Sequence, residues 1–214
     1  MKKYALFIVV SLVLVSSGCA RKKRIPIPAA PAIPAAETGI ASWYGHPYHG
    51  RRAANGEIYD MEKLTAAHRT LPFGTWVNVR NLENQKTVKV RIIDRGPFAE
   101  GRIIDLSHAA AGAIGMIGPG TAKVRCEILS LPAPLSRDDA FAVQVGAFKD
   151  KSNAERVKKT MAEQYGTARL VRREGDPLWR VLVGHERSVE DANALAQRIR
   201  SGHSAAFVVR LDPQ

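Results

Sequence analysis

Phe141-Ala142-Val143-Gln144-Val145-Gly146 recurs 38 residues further on as Trp179-Arg180-Val181-Leu182-Val183-Gly184, and the register holds beyond the strand. Ala154 pairs with Ala192, Val157 with Leu195, Met161 with Ile199 and Val171 with Val209, so apolar positions stay in step through a helix-period segment and into a further strand. Each copy reads strand, helix, strand, and two copies make a βαββαβ unit of ferredoxin-like α+β type over residues 139–214. Period-two alternation puts Phe141, Val143, Val145, Trp179, Val181 and Val183 on the face the helices cover. Ala142, Gln144, Arg180 and Leu182 then lie on the opposite face, which the pattern leaves open as a polymer-binding surface or a plain solvated sheet. By parity with Phe141, Trp179 belongs to the core rather than to a sugar-stacking surface.

Working back toward the N-terminus, the turn-rich Pro132-Ala133-Pro134-Leu135-Ser136 sits in a linker, residues 132–138. Before it, residues 38–131 read as short strands, Gly39 to Trp43, Thr75 to Asn81, Lys86 to Ile93 and Ala122 to Leu129, separated by Gly, Pro and Asn turns. Leu106 to Gly115 is the one helix candidate, with Asp105 or Ser107 able to cap it. This composition predicts an all-β barrel with a short helix, long enough to bury one core.

At the start of the chain, Met1-Lys2-Lys3 precedes an apolar run from Ala5 to Val15, too short to span the roughly 30 Å of a bilayer core and arranged as a signal peptide, residues 1–18. Ser16-Ser17-Gly18-Cys19 resembles the lipobox of bacterial lipoproteins, with Ser16 where Leu or Val is more usual; the resemblance implies acylation of Cys19. Ala20 stands where an inner-membrane retention signal has Asp, so it also implies an outer-membrane anchor facing the periplasm. The Pro/Ala-rich residues 19–37 read as an extended tether of roughly 55 Å at the polyproline rise. Cys126 then has no intrachain partner and is expected buried in a strand as a small apolar residue.

The 32 Lys and Arg against 20 Asp and Glu give +12, or +10 once Lys2 and Lys3 leave with the signal peptide. The excess is +3 over residues 20–37, +4 over 38–131 and +3 over 139–214. Charge spread so evenly, in an exported chain, excludes a nucleic-acid reader, which gathers its basic residues on one element.

The first unit holds no nucleophile elbow, Walker loop or paired-cysteine metal site. His46-Pro47-Tyr48-His49 has two histidines, but Pro47 interrupts their presentation and no third ligand is near in sequence. Asn55-Gly56-Glu57, Ala66-Ala67-His68 and Asp94-Arg95-Gly96-Pro97 each set one ionisable group beside a turn or strand end. Asp94 follows the apolar strand Val88 to Ile93 and precedes a Gly-Pro corner, a setting that can desolvate a carboxyl and raise its pKa toward that of a useful acid. The alternative for Asp94 is a turn-capping carboxylate paired with Arg95 or Arg102, and for His68 a satisfied barrel histidine.

Two resemblances bear on these residues. Val143-Gln144-Val145-Gly146-Ala147-Phe148 with Asn153-Ala154, and Trp179-Arg180-Val181-Leu182-Val183-Gly184, resemble a SPOR domain, although His185-Glu186 stand where members often have Pro and an aromatic. That implies binding to peptidoglycan glycan stripped of stem peptides, with Gln144, Gly146, Phe148 and Arg180 as contacts. Ala41-Ser42-Trp43-Tyr44-Gly45, His49-Gly50-Arg51, Ala54-Asn55-Gly56-Glu57-Ile58-Tyr59-Asp60-Met61, Leu64-Thr65-Ala66-Ala67-His68, Leu71-Pro72-Phe73-Gly74-Thr75, Asp94-Arg95-Gly96-Pro97-Phe98 and Gly101-Arg102-Ile103-Ile104-Asp105-Leu106-Ser107 resemble the rare lipoprotein A family. The family's domain is a double-psi β-barrel, and the resemblance implies endolytic peptidoglycan transglycosylase activity at division septa, without metal or cofactor. Asp94, Glu57 and His68 stand at the family's catalytic positions, and Tyr44 and Arg95 are expected to line the groove. Here Ile93 replaces the usual Asn or Thr before the Asp-Arg-Gly-Pro run, and Ala53 a usual Thr.

One carboxyl can protonate the leaving oxygen and then take the proton from the 6-hydroxyl of the same sugar, which closes a 1,6-anhydro ring without water. Asp94 fits that role, with Glu57 and His68 stabilising charge or orienting substrate. Two other functions use the same folds: an expansin-like barrel that grips the wall without cutting it, and a hydrolase that delivers water to the opposite face of the sugar.

Overall fold

The computed structural model describes residues 35–133, 138–202 and 205–212. The expected signal peptide, the acylated Cys19 and all but the end of the tether lie outside the described residues, as do residues 134–137 of the linker.

The first domain is a closed barrel of β1 (Ala36–Tyr44), β2 (Thr65–His68), β3 (Trp76–Asn81), β4 (Thr87–Asp94), β5 (Arg102–Ser107) and β6 (Thr121–Ser130), in the spatial order β1-β5-β2-β4-β3-β6. β1 with β5 and β2 with β4 are the parallel pairs of the double-psi arrangement, and antiparallel pairing of β6 to β1 closes the ring. Alternation sends Val77 and Val79, Val88, Val90 and Ile92, and Val124 and Cys126 inward, where all are buried. Burying one such aliphatic chain contributes about 1.5–3 kcal/mol. Cys126 behaves as the apolar residue expected, its thiol pKa pushed up to about 12 by burial.

One expectation fails here. Leu106 and Ser107 belong to β5 rather than to the helix: Leu106 pairs with Trp43 and Ala66, so sheet hydrogen bonding wins over local helix preference. Helix α1 is shorter, His108–Ala113, with Ser107 as its N-cap accepting from the Ala110 amide at 3.2 Å. β2, Thr-Ala-Ala-His, carries no alternation because all four residues are buried between β4 and β5.

The second domain is the expected βαββαβ unit: β7 (Ala140–Phe148), α2 (Lys151–Tyr165), β8 (Ala168–Val171), β9 (Trp179–Glu186), α3 (Val189–Arg200) and β10 (Phe207–Leu211). Its antiparallel sheet runs β10-β7-β9-β8. Asp150 and Ser188 cap the two helices through the amides of Asn153 and Asp191. Phe141, Val143, Val145, Val181 and Val183 pack under the helices, with Trp179 half-buried at their edge. The glycines aligned by the repeat are needed for different reasons. A Cβ at Gly146 would stand 2.6 Å from the Phe148 ring, whereas Gly184 combines φ +80° with a Cβ position 2.5 Å from Leu195.

The opposite face of this sheet is not open. Ala142, Leu182 and Val209 form a small apolar cluster with Phe98 of the barrel, whose ring meets Phe207 edge-on at 6.1 Å. The Arg210 amide donates to the carbonyl of Arg69 at 3.0 Å, and Arg95 pairs with Asp212. Three apolar residues on a face shared with Gln144 and Arg180 are stabilised by this covering, which the alternation alone does not reveal.

Candidate active site

Asp94 ends β4, directly after the buried Ile92 and Ile93. Its Oδ1 accepts from the backbone amides of Arg95 at 2.7 Å and Ala54 at 3.0 Å, and Nη1 of Arg173, from the second domain, lies 3.7 Å away. Burial raises the Asp94 pKa above its ordinary value; the Arg173 charge and the two amides oppose that rise without overcoming it. The proton-bearing form of Asp94 therefore persists to higher pH than in an ordinary aspartate.

A second carboxyl shares the setting. Ala67 of β2 is the register partner of Asp94 on β4 and of Asp105 on β5, so the two aspartates flank one alanine about 10 Å apart at Cα, two strand spacings. Ser42 and Arg102 hold Asp105: the Ser42 hydroxyl donates to Oδ1 and itself accepts from Arg102 at 3.2 Å. Burial also raises the Asp105 pKa, against Ser42 and Arg102. Tyr44, at the end of β1, stacks on Tyr59 with centroids 4.3 Å apart, and burial with the nearby carboxylates pushes its phenol pKa up.

Asp94, Asp105, Arg102 and Tyr44 line a cleft of about 680 Å³ whose other wall is the second domain. Asp94, Tyr44, Arg95, Gln144, Gly146 and Arg180 all reach it. Arg95 does so with its charge already engaged: the guanidinium is buried, bonded to Asp212 and to the carbonyls of His68 and Leu71, and stacked 3.8 Å over Phe73. Arg180 pairs with Asp176.

Three sequence-predicted residues do not line the cleft. Phe148 is half-buried against the helix-side core. Glu57 is half-exposed and clamped by Arg91 through two hydrogen bonds of 2.7 Å, with Asn55 adding a third; the Arg91 bonds hold its pKa below the ordinary glutamate value, which suits a fixed anion rather than a proton donor. His68 is buried; its Nδ1 accepts from the amides of Thr70 and Leu71 at 3.2 and 3.1 Å, and Nε2 faces Glu37 at 3.3 Å. That is the satisfied barrel histidine. Burial lowers its pKa below 6.5, with Glu37 opposing, so the unfolded chain binds the proton first and stability falls as pH drops through 6.5. His68→Ala should cost about 1–3 kcal/mol in urea denaturation at pH 8, through the two amides left unpaired, and flatten the acid-side decline. An unchanged denaturation midpoint would contradict this placement. Among the described residues no group of three His, Cys, Asp or Glu is placed to hold a metal ion; His46 and His49 stand 5.9 Å apart, with His49 turned to Asp60.

Comparison with known proteins fits this geometry. Residues 36–126 match a family model described as lytic transglycolase, and residues 138–210 match the SPOR domain. The endolytic peptidoglycan transglycosylase RlpA of Vibrio cholerae is 40% identical over 183 residues, covering 80% of this chain and 68% of that protein. The chain belongs to the RlpA family. Its Campylobacter jejuni namesake is 39% identical over 201 residues, covering 80% of this chain and 71% of that one. Within this RlpA-family fold, sequence reading missed two cleft residues. Asp105 lies inside a quoted motif but reads as a helix cap until β5 is seen to extend through it. Arg173 sits in a turn dense with charge, Arg172-Arg173-Glu174, where no local pattern singles out the side chain that reaches the barrel.

Proposed function

We propose that this protein is an endolytic lytic transglycosylase that cuts peptidoglycan strands lacking stem peptides, leaving 1,6-anhydro-N-acetylmuramic acid ends. The observation that carries the reading is Asp94: a buried carboxyl whose pKa is raised by burial, lining a cleft of about 680 Å³ between the two domains, in a chain whose relatives are peptidoglycan transglycosylases. Asp94 gives its proton to O4 of the leaving N-acetylglucosamine as the bond from C1 of muramic acid to that oxygen breaks. O6 of the same muramic acid then bonds to C1, and its proton passes to Asp94, which ends as it began. Asp105, across Ala67 and held by the Ser42 hydroxyl and Arg102, would in its ionised form stabilise positive charge developing at C1. Gln144, Gly146 and Arg180 form the opposing wall for the strand.

Cys19 acylation would fix the protein to the outer membrane, and the SPOR unit would bring the barrel to septal wall where amidases have stripped the strands. Mass spectrometry of amidase-treated sacculi after digestion tests the reaction. Anhydro ends are expected; reducing ends would mean hydrolysis, and intact strands an expansin-like binder.

A further inference from the structure

Arg173 is an odd residue to find beside a general acid. It comes from the turn between β8 and β9 in the second domain, yet stands 3.7 Å from Asp94 of the first. Its guanidinium makes no hydrogen bond among the described residues; burial, then the charges of Arg180 and Arg95, push its pKa down to about 10, against the opposing charges of Asp94 and Asp176. A cation so placed is under-compensated. The whole cleft shares the imbalance: seven Arg and Lys side chains line it against three Asp, and Asp212, outside the lining, offsets only Arg95. Such a site is built for a ligand carrying negative charge. The distance to Asp94 exceeds that of a hydrogen-bonded ion pair, so the guanidinium is free to close on a better carboxylate.

The substrate of the proposed reaction supplies one. In a peptide-bearing strand the lactyl group of each muramic acid ends in a neutral amide; hydrolysis of that amide removes the peptide and leaves a carboxylate. We propose that Arg173 is a specificity-determining residue that binds this free lactyl carboxylate on the muramic acid seated at Asp94, so that the second domain reads, at the reacting sugar, whether the strand has been stripped. The inference rests on the lyase reading of the barrel and adds the means of its selectivity. Once Arg173 is neutralised by the substrate, its hold on the Asp94 carboxylate weakens. The remaining charged or titratable neighbours of Asp94 are Arg95 beside it, Tyr44 of β1, Tyr59 of the preceding loop and Asp105 of β5. Both phenols are neutral, their pKa values raised by burial, and Arg95 is engaged by Asp212, so with Arg173 drawn to the substrate Asp94 is better able to keep its proton.

The test compares stripped strands with the same strands after carbodiimide coupling to methylamine, which makes the lactyl group neutral at little cost in size. The full chain should cleave the carboxylate form with kcat/KM about ten- to hundredfold higher, the range of a charge-assisted hydrogen bond. Arg173→Gln should bring that ratio to about one, and Arg173→Lys should restore part of it. A second readout needs no variant: loss of kcat as pH rises should set in at higher pH on carboxylate strands than on methylamide strands. Equal rates on the two forms, a preserved ratio in Arg173→Gln, or coincident pH profiles would overturn the proposal and leave the lyase reading standing. Absence of cleavage of either form overturns the lyase reading itself, and this inference with it.

Discussion

Asp94→Asn is expected to lower cleavage by about 10²–10⁴-fold and, at neutral pH, to make the folded protein more stable. The amide keeps the size of the side chain and an oxygen to accept from the Ala54 and Arg95 amides, so local geometry is retained while the transferable proton is lost. The stability gain follows from the sign of the pKa shift. Burial raises the folded-state value above the ordinary 3.8. Between that value and the raised one, the folded protein holds a proton that the unfolded chain has released, so stability declines as pH rises through the window and stays low above it. Asn carries no such charge. We expect a gain of about 0.5–2 kcal/mol in urea denaturation at pH 7 that shrinks to nothing below pH 3.8. Cleavage counted as anhydro ends per folded molecule, beside that denaturation series, reads both effects. A variant that is no more stable at pH 7 would mean the carboxyl is at ease as an anion, and the acid role would go with it.

That combination was partly visible in the sequence. The repeat of Phe141 to Gly146 at Trp179 to Gly184 specifies the second fold because strand alternation and helix periodicity are local signals, and the structure follows them element by element. The barrel was legible where strands alternate, as in β3, β4 and β6, and obscure in β2 and β5, where burial on both sides or a polar ending erases the period. At the site, a carboxyl after an apolar strand marked Asp94. Glu57 and His68 carry equally reactive groups, but their partners, Arg91 and Glu37, lie 34 and 31 residues away and no local pattern exposes the pairing. The same holds for the covering of the sheet face by Phe98 and for Arg173. What stayed hidden is contact between distant segments, and that contact decides whether an ionisable side chain is available.

The second large effect concerns Arg95. Replacement by alanine should destabilise the protein by about 3–5 kcal/mol, more than any other single change in the cleft, because the guanidinium is 5% exposed and answers to several groups at once. Its loss strands the carboxylate of Asp212 and the carbonyls of His68 and Leu71, and removes the cation from the Phe73 ring. Asp212→Asn should cost less, since an amide oxygen still accepts from Arg95 and no charge is left buried alone. The double variant Arg95→Ala with Asp212→Ala should be less destabilised than the sum of the singles, because removing both partners abolishes the orphaned charge. Urea denaturation followed at Trp43 and Trp76 for the barrel and at Trp179 for the second domain, in single-tryptophan backgrounds, resolves where the loss falls. Arg95 belongs to the barrel and Asp212 to the second domain, so both transitions should shift together if the pair joins the domains in solution. A shift confined to the barrel would show that the carbonyls, not Asp212, are its main partners. The distinction reaches the chemistry: Asp212 follows β10, and Arg173 stands in the turn between β8 and β9 of the same four-stranded sheet, so the pin at Arg95 helps set how closely that guanidinium approaches Asp94.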